Sequence, residues 1–213
     1  MDFQPVKASD KEIIDKYMKK ANSRSCDMSF AAVYLWKDFY LLEYTVCEDM
    51  LIFRTTEDGS SYSFPIGDAS PEKALLALEA HCKENEEPLK LHCVYRENEA
   101  WLEEHMPGKF EIEFDRDSAD YIYECEKLIG LKGKKFHGKK NHVNKFIKTY
   151  DWAYEKITDD NINDCLAMLY KWKEINCEPG NIEKHAEACV SENALKGEKI
   201  RRIKSLDPEE VIR

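Results

Sequence analysis

No stretch of this 213-residue sequence stays apolar long enough to span a bilayer. Its opening, MDFQPVKASD, lacks the basic-then-apolar pattern of a secretory leader. Eight cysteines, at 26, 47, 82, 93, 125, 165, 177 and 189, include no C-x-x-C pair and no histidine at zinc-site spacing. These absences argue against a transmembrane segment, a disulfide framework and a metal site. The expectation is a cytoplasmic protein with reduced thiols and no metal.

A further absence is local. The window Lys132–Lys148 contains seven lysines and no carboxylate. The whole chain carries 32 basic and 42 acidic residues, a formal charge of −10. Outside the window 25 basic residues face the 42 acidic ones, a net −17. A short basic segment in an acidic chain must have a reason not to repel itself. At 43% hydrophobic and 35% charged residues, the chain can bury the core of one large domain or two small ones.

Along the chain, Ser9 and Glu12 have capping-box spacing, with Ile13, Ile14, Tyr17 and Met18 as a helical stripe. SFAAVYLWKDF reads as a short helix or turn. Strands are expected at 39–45, 50–55 and 61–67, with E-D-G-S as a hairpin turn. Ser70-Pro71-Glu72 opens a clear helix, with serine at the N-cap and proline at N1. LKLHCVY (89–95) reads as a strand, ENEAWLEEHM (97–106) as a helix, and KFEIEFD (109–115) as a strand of strict alternation. WAYEKIT (152–158) reads as a further strand. A helix capped near Thr158 and Asp159 then runs through Asn176. From Glu178 the chain is polar and helical, through NIEKHAEACVSENAL to GEKIRRIKSLDPEEVIR. The fold class expected is α/β (α+β), a mixed and largely antiparallel sheet flanked by helices.

Within the basic segment, Val143, Phe146, Ile147 and Tyr150 recur at i, i+3, i+4, i+7, opposite Asn141, Asn144, Lys145 and Lys148. Gly133 and Gly138 punctuate the approach. This predicts a glycine-containing loop feeding a helix whose first turn carries Lys139, Lys140 and His142. Unpaired N–H groups at a helix start, with lysines added, attract phosphate. A solvated basic helix docked on the protein's own acidic surface fits the same pattern. GKKFHGKK also fits G-x-x-x-x-G-K through Lys139, but Lys140 stands where a magnesium-binding Ser or Thr belongs, which argues against nucleotide hydrolysis. Backbone amides and lysines that meet phosphate remain compatible with it. His137 and His142, five apart, are poorly placed to share a metal, and His81, His92, His105 and His185 show no catalytic partner. Glu111, Glu113, Asp115 and Asp117 read mostly as a solvated face.

DYIYECEKLIGLKGKKFHGKKNHVNKF (120–146) resembles the pattern D-Y-hydrophobic-Y followed by L-x-x-L-x-G-K-K-F/Y-x-x-K-K/R-N-x-hydrophobic-N-x-F. That pattern belongs to bacterial proteins similar to the C-terminal domain of phosphatidylglycerol lysyltransferase. SFAAVYLWKDFY and FPIG resemble the family's upstream part, and the likeness covers roughly residues 28–176. The resemblance implies a tandem N-acetyltransferase-like fold. It divides the chain into an acyltransferase-like domain at 1–131, a basic connector at 132–150, and an incomplete second copy at 151–213. The Q/R-x-x-G-x-G/A loop with which such folds hold a CoA pyrophosphate is absent.

The implied function is transfer of an acyl or aminoacyl group from a CoA thioester, such as acetyl-CoA, or from aminoacyl-tRNA. The acceptor would be an amine or hydroxyl, such as a phospholipid head group. A non-catalytic module that binds phosphate, RNA or anionic lipid is the alternative, as is an inactive remnant of the family. The candidate phosphate- or ligand-binding residues are Lys134, Lys135, His137, Lys139, Lys140, Asn141, Asn144 and Lys145. Tyr121, Tyr123, Gly133 and Gly138 support the motif. The sequence singles out no catalytic residue.

Overall fold

Burial on both faces of one strand organises the first part of the molecule. In this computed structural model, residues 1–21, 23–57, 59–116, 119, 121–178 and 181–196 are described. Strand β1 (Gln4–Pro5) leads into helices α1 (Lys11–Ala21) and α2 (Phe30–Trp36). Strands β2 (Glu43–Cys47), β3 (Met50–Thr55) and β4 (Ser61–Ser63) follow. Helix α3 (Pro71–Glu84) then crosses over to β5 (Leu91–His92) and α4 (Arg96–His105). The sheet order is β1-β2-β3-β4-β5; β4 and β5 pair in parallel, and the other neighbours are antiparallel. The parallel pair requires the helical crossover that α3 supplies.

Met50, Leu51, Ile52 and Phe53 are all buried, as a strand covered on both sides must be. Leu51 and Phe53 pack with Ile14, Tyr17 and Met18 of α1, with Phe30, Val33 and Tyr34 of α2, and with Tyr44. Met50 and Ile52 point the other way, with Tyr62, against Ala74, Leu78 and Cys82 of α3. Alternating side chains of one strand thus feed two cores. A third cluster joins Phe64 and Leu75 to Leu102 and Met106 at α4.

Helix α5 (Cys125–Gly130), a 3-10 turn at Lys134–Phe136 and helix α6 (His137–Thr149) come next. Helices α7 (Ile162–Asn176) and α8 (Ile182–Lys196) complete the described chain. Contacts group the chain into two compact units, residues 1–112 with 163–213, and residues 113–162. In the first unit Tyr170 of α7 donates to Glu192 of α8 at 3.0 Å, and Ala188 of α8 is fully buried.

Several expectations need correction. Residues 109–115 and 152–158 alternate but form no strand; Phe114 is 76% exposed and Tyr154 88%. Alternation is a local signal, whereas a strand needs a partner edge, and none pairs with either stretch among the described residues. The strand expected at 39–45 is displaced to Glu43–Cys47, behind a turn at 37–41, and the one expected at 89–95 shrinks to Leu91–His92. The Ser9–Glu12 box gives way to a 3-10 turn in which the Lys7 amide donates to Asp10 Oδ2 at 2.8 Å. Pro71 does take N1, but the Ser70 side chain makes no cap bond. Ser29 caps α2 instead, accepting from the Ala32 amide at 3.2 Å. Asp58 of the turn, Asp117, Asp120 and the final GEKIRRIKSLDPEEVIR lie outside the described residues.

Candidate functional site

Glycine and left-handed backbone shape the basic segment before any side chain is considered. Helix α5 ends with Leu131 in the left-handed region (φ 42°, ψ 42°), its amide donating to the Lys127 carbonyl at 3.0 Å. Gly133 follows at φ 89°, ψ 166°, a conformation close to glycine-only. Its carbonyl accepts from the Phe136 amide at 3.1 Å, which closes the 3-10 turn. Phe136 is the buried side chain of this turn and anchors it. The chain then enters α6 at His137, so Gly138 lies in the helix's first turn and not in the loop expected for it.

The turn and the start of α6 enclose an open depression of about 830 Å³. Leu131, Lys132, Gly133, Lys134, His137, Gly138 and Lys140 line it. Of the expected ligand-binding residues, the fold brings Lys134, His137 and Lys140 to this depression, with the two motif glycines. Lys135, Lys139, Asn141, Asn144 and Lys145 fall outside its lining. Lys139 instead sets its ammonium 6.0 Å from the centre of the Tyr123 ring, and Tyr121 stacks on Tyr123 at 6.5 Å. The motif tyrosines therefore support one lysine of the segment. Lys132 and Leu131 join the site unanticipated. Lys132 belonged to the basic window, but the left-handed turn that aims it was not readable from side-chain periodicity.

All seven lysines of the window are exposed, and among the described residues none makes an ion pair. The turn and the start of α6 present a concave surface with concentrated positive charge, where the first amide of the helix, that of His137, already donates to the Lys134 carbonyl. Such a surface accepts anionic oxygens. By contrast, a depression of about 500 Å³ along α1 mixes Lys11, Lys16 and Lys19 with Glu12 and Asp15, and Lys11 is already paired with Asp15.

The first unit holds a separate polar hub. Tyr62, fully buried, donates its hydroxyl to Glu87. Burial, then this bond to a carboxylate, pushes the Tyr62 phenol well above its ordinary range. Glu87 is held low, first by the Tyr62 bond and then by Ser60. The α-amino group of Met1 lies 3.3 Å from His81 Nδ1, and His81 Nε2 is buried with no partner among the described residues. Burial, the α-amino group and Arg54 together lower the His81 pKa. Ser61 Oγ lies 2.9 Å from His92 Nδ1, and burial followed by Lys90 lowers the His92 pKa. No carboxylate orients that ring among the described residues, so the pair lacks the third member of a nucleophilic triad.

Among the described residues no helix is long and apolar enough to cross a membrane. The family model described as phosphatidylglycerol lysyltransferase, C-terminal, matches residues 18–202, a wider span than the quoted motifs cover. That family is acetyltransferase-like, in agreement with the mixed, largely antiparallel sheet and its flanking helices. A conserved protein of unknown function from Bacteroides thetaiotaomicron, known from a crystal structure, superposes with a TM-score of 0.80 at 30% identity. The superposition covers 91% of this chain and 68% of that one. An uncharacterized protein of Mycoplasmoides gallisepticum is 33% identical over 63 residues, 29% of this chain. The matched stretch spans only 20% of that curated relative's length.

Proposed function

This chain belongs to the phosphatidylglycerol lysyltransferase C-terminal family, and from that premise we propose that it is an acyl- or aminoacyl-transferase relative whose basic turn receives a phosphate-bearing ligand. The observation that carries the reading is the convergence of Lys132, Lys134, His137 and Lys140 on one open depression free of carboxylates. A CoA thioester or the acceptor end of an aminoacyl-tRNA would present its phosphates there. The lysine ammoniums would hold the phosphates and so position the activated carbonyl. Catalysis of this kind rests largely on holding donor and acceptor together, with fixed dipoles facing the developing oxyanion. The acceptor would be an amine or hydroxyl. The division at 1–131, 132–150 and 151–213, with the basic segment as connector, is part of the same proposal.

Thermal-shift and equilibrium-binding titrations with acetyl-CoA, longer acyl-CoA and aminoacyl-tRNA test it. One of these ligands should raise the melting temperature, and Lys134→Glu with Lys140→Glu should abolish the shift. Binding should also weaken as salt rises, because each neutralised phosphate releases a counterion. No response to either donor class by the folded chain overturns the reading. Binding that is unchanged by salt and by the double substitution does so too.

A further inference from the structure

We propose that Ser61 is an acyl-accepting nucleophile with His92 as its base, and that it takes the acyl group of a small activated ester or thioester. The two residues are 31 apart in sequence and meet through the sheet, with Ser61 Oγ 2.9 Å from His92 Nδ1. Strands β4 and β5 pair in parallel with Ser63 opposite His92 and Tyr62 opposite Leu91. Side chains alternate along a strand, so Ser61, Ser63 and His92 share one face of the sheet. Tyr62 and Leu91 take the other face, where they pack with the α3 core. Neighbouring hydroxyls on the Ser61 face are engaged with backbone. Ser63 Oγ accepts from the Phe53 amide at 2.9 Å, and Thr55, opposite Ser61, donates to the Tyr40 carbonyl. Ser61, itself buried, turns its hydroxyl to an imidazole.

A hydroxyl within hydrogen-bond reach of an unprotonated imidazole is the working pair of nucleophilic catalysis. With the ring proton on Nε2, Nδ1 accepts from the Ser61 hydroxyl. Burial and Lys90 both lower the His92 pKa, which favours the unprotonated ring. In the step, the Ser61 proton passes to His92 Nδ1 as Oγ bonds to the carbonyl carbon. The carbon–sulfur or carbon–oxygen bond to the leaving group then breaks, and the leaving group takes the proton from Nδ1. The products are an acyl-Ser61 ester and a free thiol or alcohol. Among the described residues no carboxylate steadies an imidazolium, so acylation should be slow beside that of a complete triad. A bond that merely ties β5 to β4 would leave the hydroxyl as unreactive as any other serine. The inference needs neither the basic turn nor the transferase reading, since Ser61 and His92 both lie in the first unit.

The test treats the full folded chain with p-nitrophenyl acetate and locates the adducts by peptide mass spectrometry. Lysines also acetylate, but alkaline hydroxylamine cleaves a serine ester and leaves their amides. An ester on Ser61 is expected. It should be missing from Ser61→Ala and return as a thioester in Ser61→Cys. His92→Gln should slow its formation about 100-fold or more, since a positioned base contributes about 10²–10⁴-fold. The wild-type rate should rise with pH through the depressed His92 pKa and level off by about pH 7. A serine attacked through hydroxide alone would give a rate that keeps climbing. Circular dichroism checks the fold of each variant, and the pH profile needs wild type only, so it decides even where a variant unfolds. A folded wild type with no ester on Ser61 overturns the proposal. So does an undiminished rate in folded His92→Gln, or a wild-type rate that climbs without levelling. CoA and aminoacyl-tRNA play no part in the measurement, so this inference and the transferase reading fail separately.

Discussion

Tyr62→Phe removes one oxygen from the centre of the first unit and leaves the ring's packing in place. Tyr62 is fully buried on β4, and its hydroxyl donates to Glu87, which follows α3 and precedes β5. The bond therefore clasps the two ends of the crossover that joins the parallel strand pair. Hydrogen bonds to charged groups contribute about 1.5–3 kcal/mol net. Glu87 is only partly buried and also bonded to Ser60, so water and Ser60 take up part of the loss. The expected cost is about 1–2 kcal/mol, or about 2–8 °C in melting temperature for a chain of this length. The loss should depend on pH in a definite sense. The bond depresses the Glu87 pKa, so its stabilisation is present above the ordinary carboxylate value and disappears as pH falls through the depressed one. Denaturant unfolding of wild type and variant at neutral and strongly acidic pH measures both. A variant as stable as wild type at neutral pH would refute the clasp. A deficit of equal size in acid would refute the role of the carboxylate.

Gly67→Ala would place a Cβ 2.9 Å from both the Asp49 carbonyl oxygen and Met50 Sδ. It should cost about 1–3 kcal/mol in denaturant unfolding, and a neutral result would show that this packing is not tight. The two motif glycines should respond oppositely. Gly133→Ala meets open space but an unfavourable φ of +89°, and should destabilise by about 1–3 kcal/mol. Gly138→Ala meets open space inside a helix and should stabilise by about 0.5–1 kcal/mol. Hydrogen exchange across 131–149 would report both. For His81, burial and the neighbouring α-amino group lower the folded pKa, so the unfolded chain binds the proton first. Stability should fall as pH drops below about 6.5, and His81→Gln should remove that slope in a denaturant series; a flat wild-type profile would contradict the placement of the ring.

How far the sequence can be read differs between the two units. Met50–Thr55 was readable because a buried strand needs an unbroken apolar run, and α3 because proline and the Ala74, Leu75, Leu78, Cys82 spacing carry local signals. Helix α6 was readable for the same reason, from Val143 to Tyr150. KFEIEFD and WAYEKIT mislead because alternation is local and pairing is not. The site was half legible. Lysine content pointed to Lys134 and Lys140, but the Leu131 and Gly133 backbone decides that these, with Lys132 and His137, face one depression while Lys139 goes to Tyr123. The Tyr62–Glu87 clasp joins residues 25 apart and left no trace in any motif.

The most direct test of the central claim follows the amide resonances of 131–149 in a two-dimensional nitrogen–proton spectrum while CoA, and separately the acceptor stem of an aminoacyl-tRNA, is titrated in. The account predicts that one of the two moves the signals of Lys132, Gly133, Lys134, His137 and Gly138 together, with a single saturation curve that weakens with salt. Signals that stay fixed with both ligands, or that shift elsewhere while these do not, would contradict it.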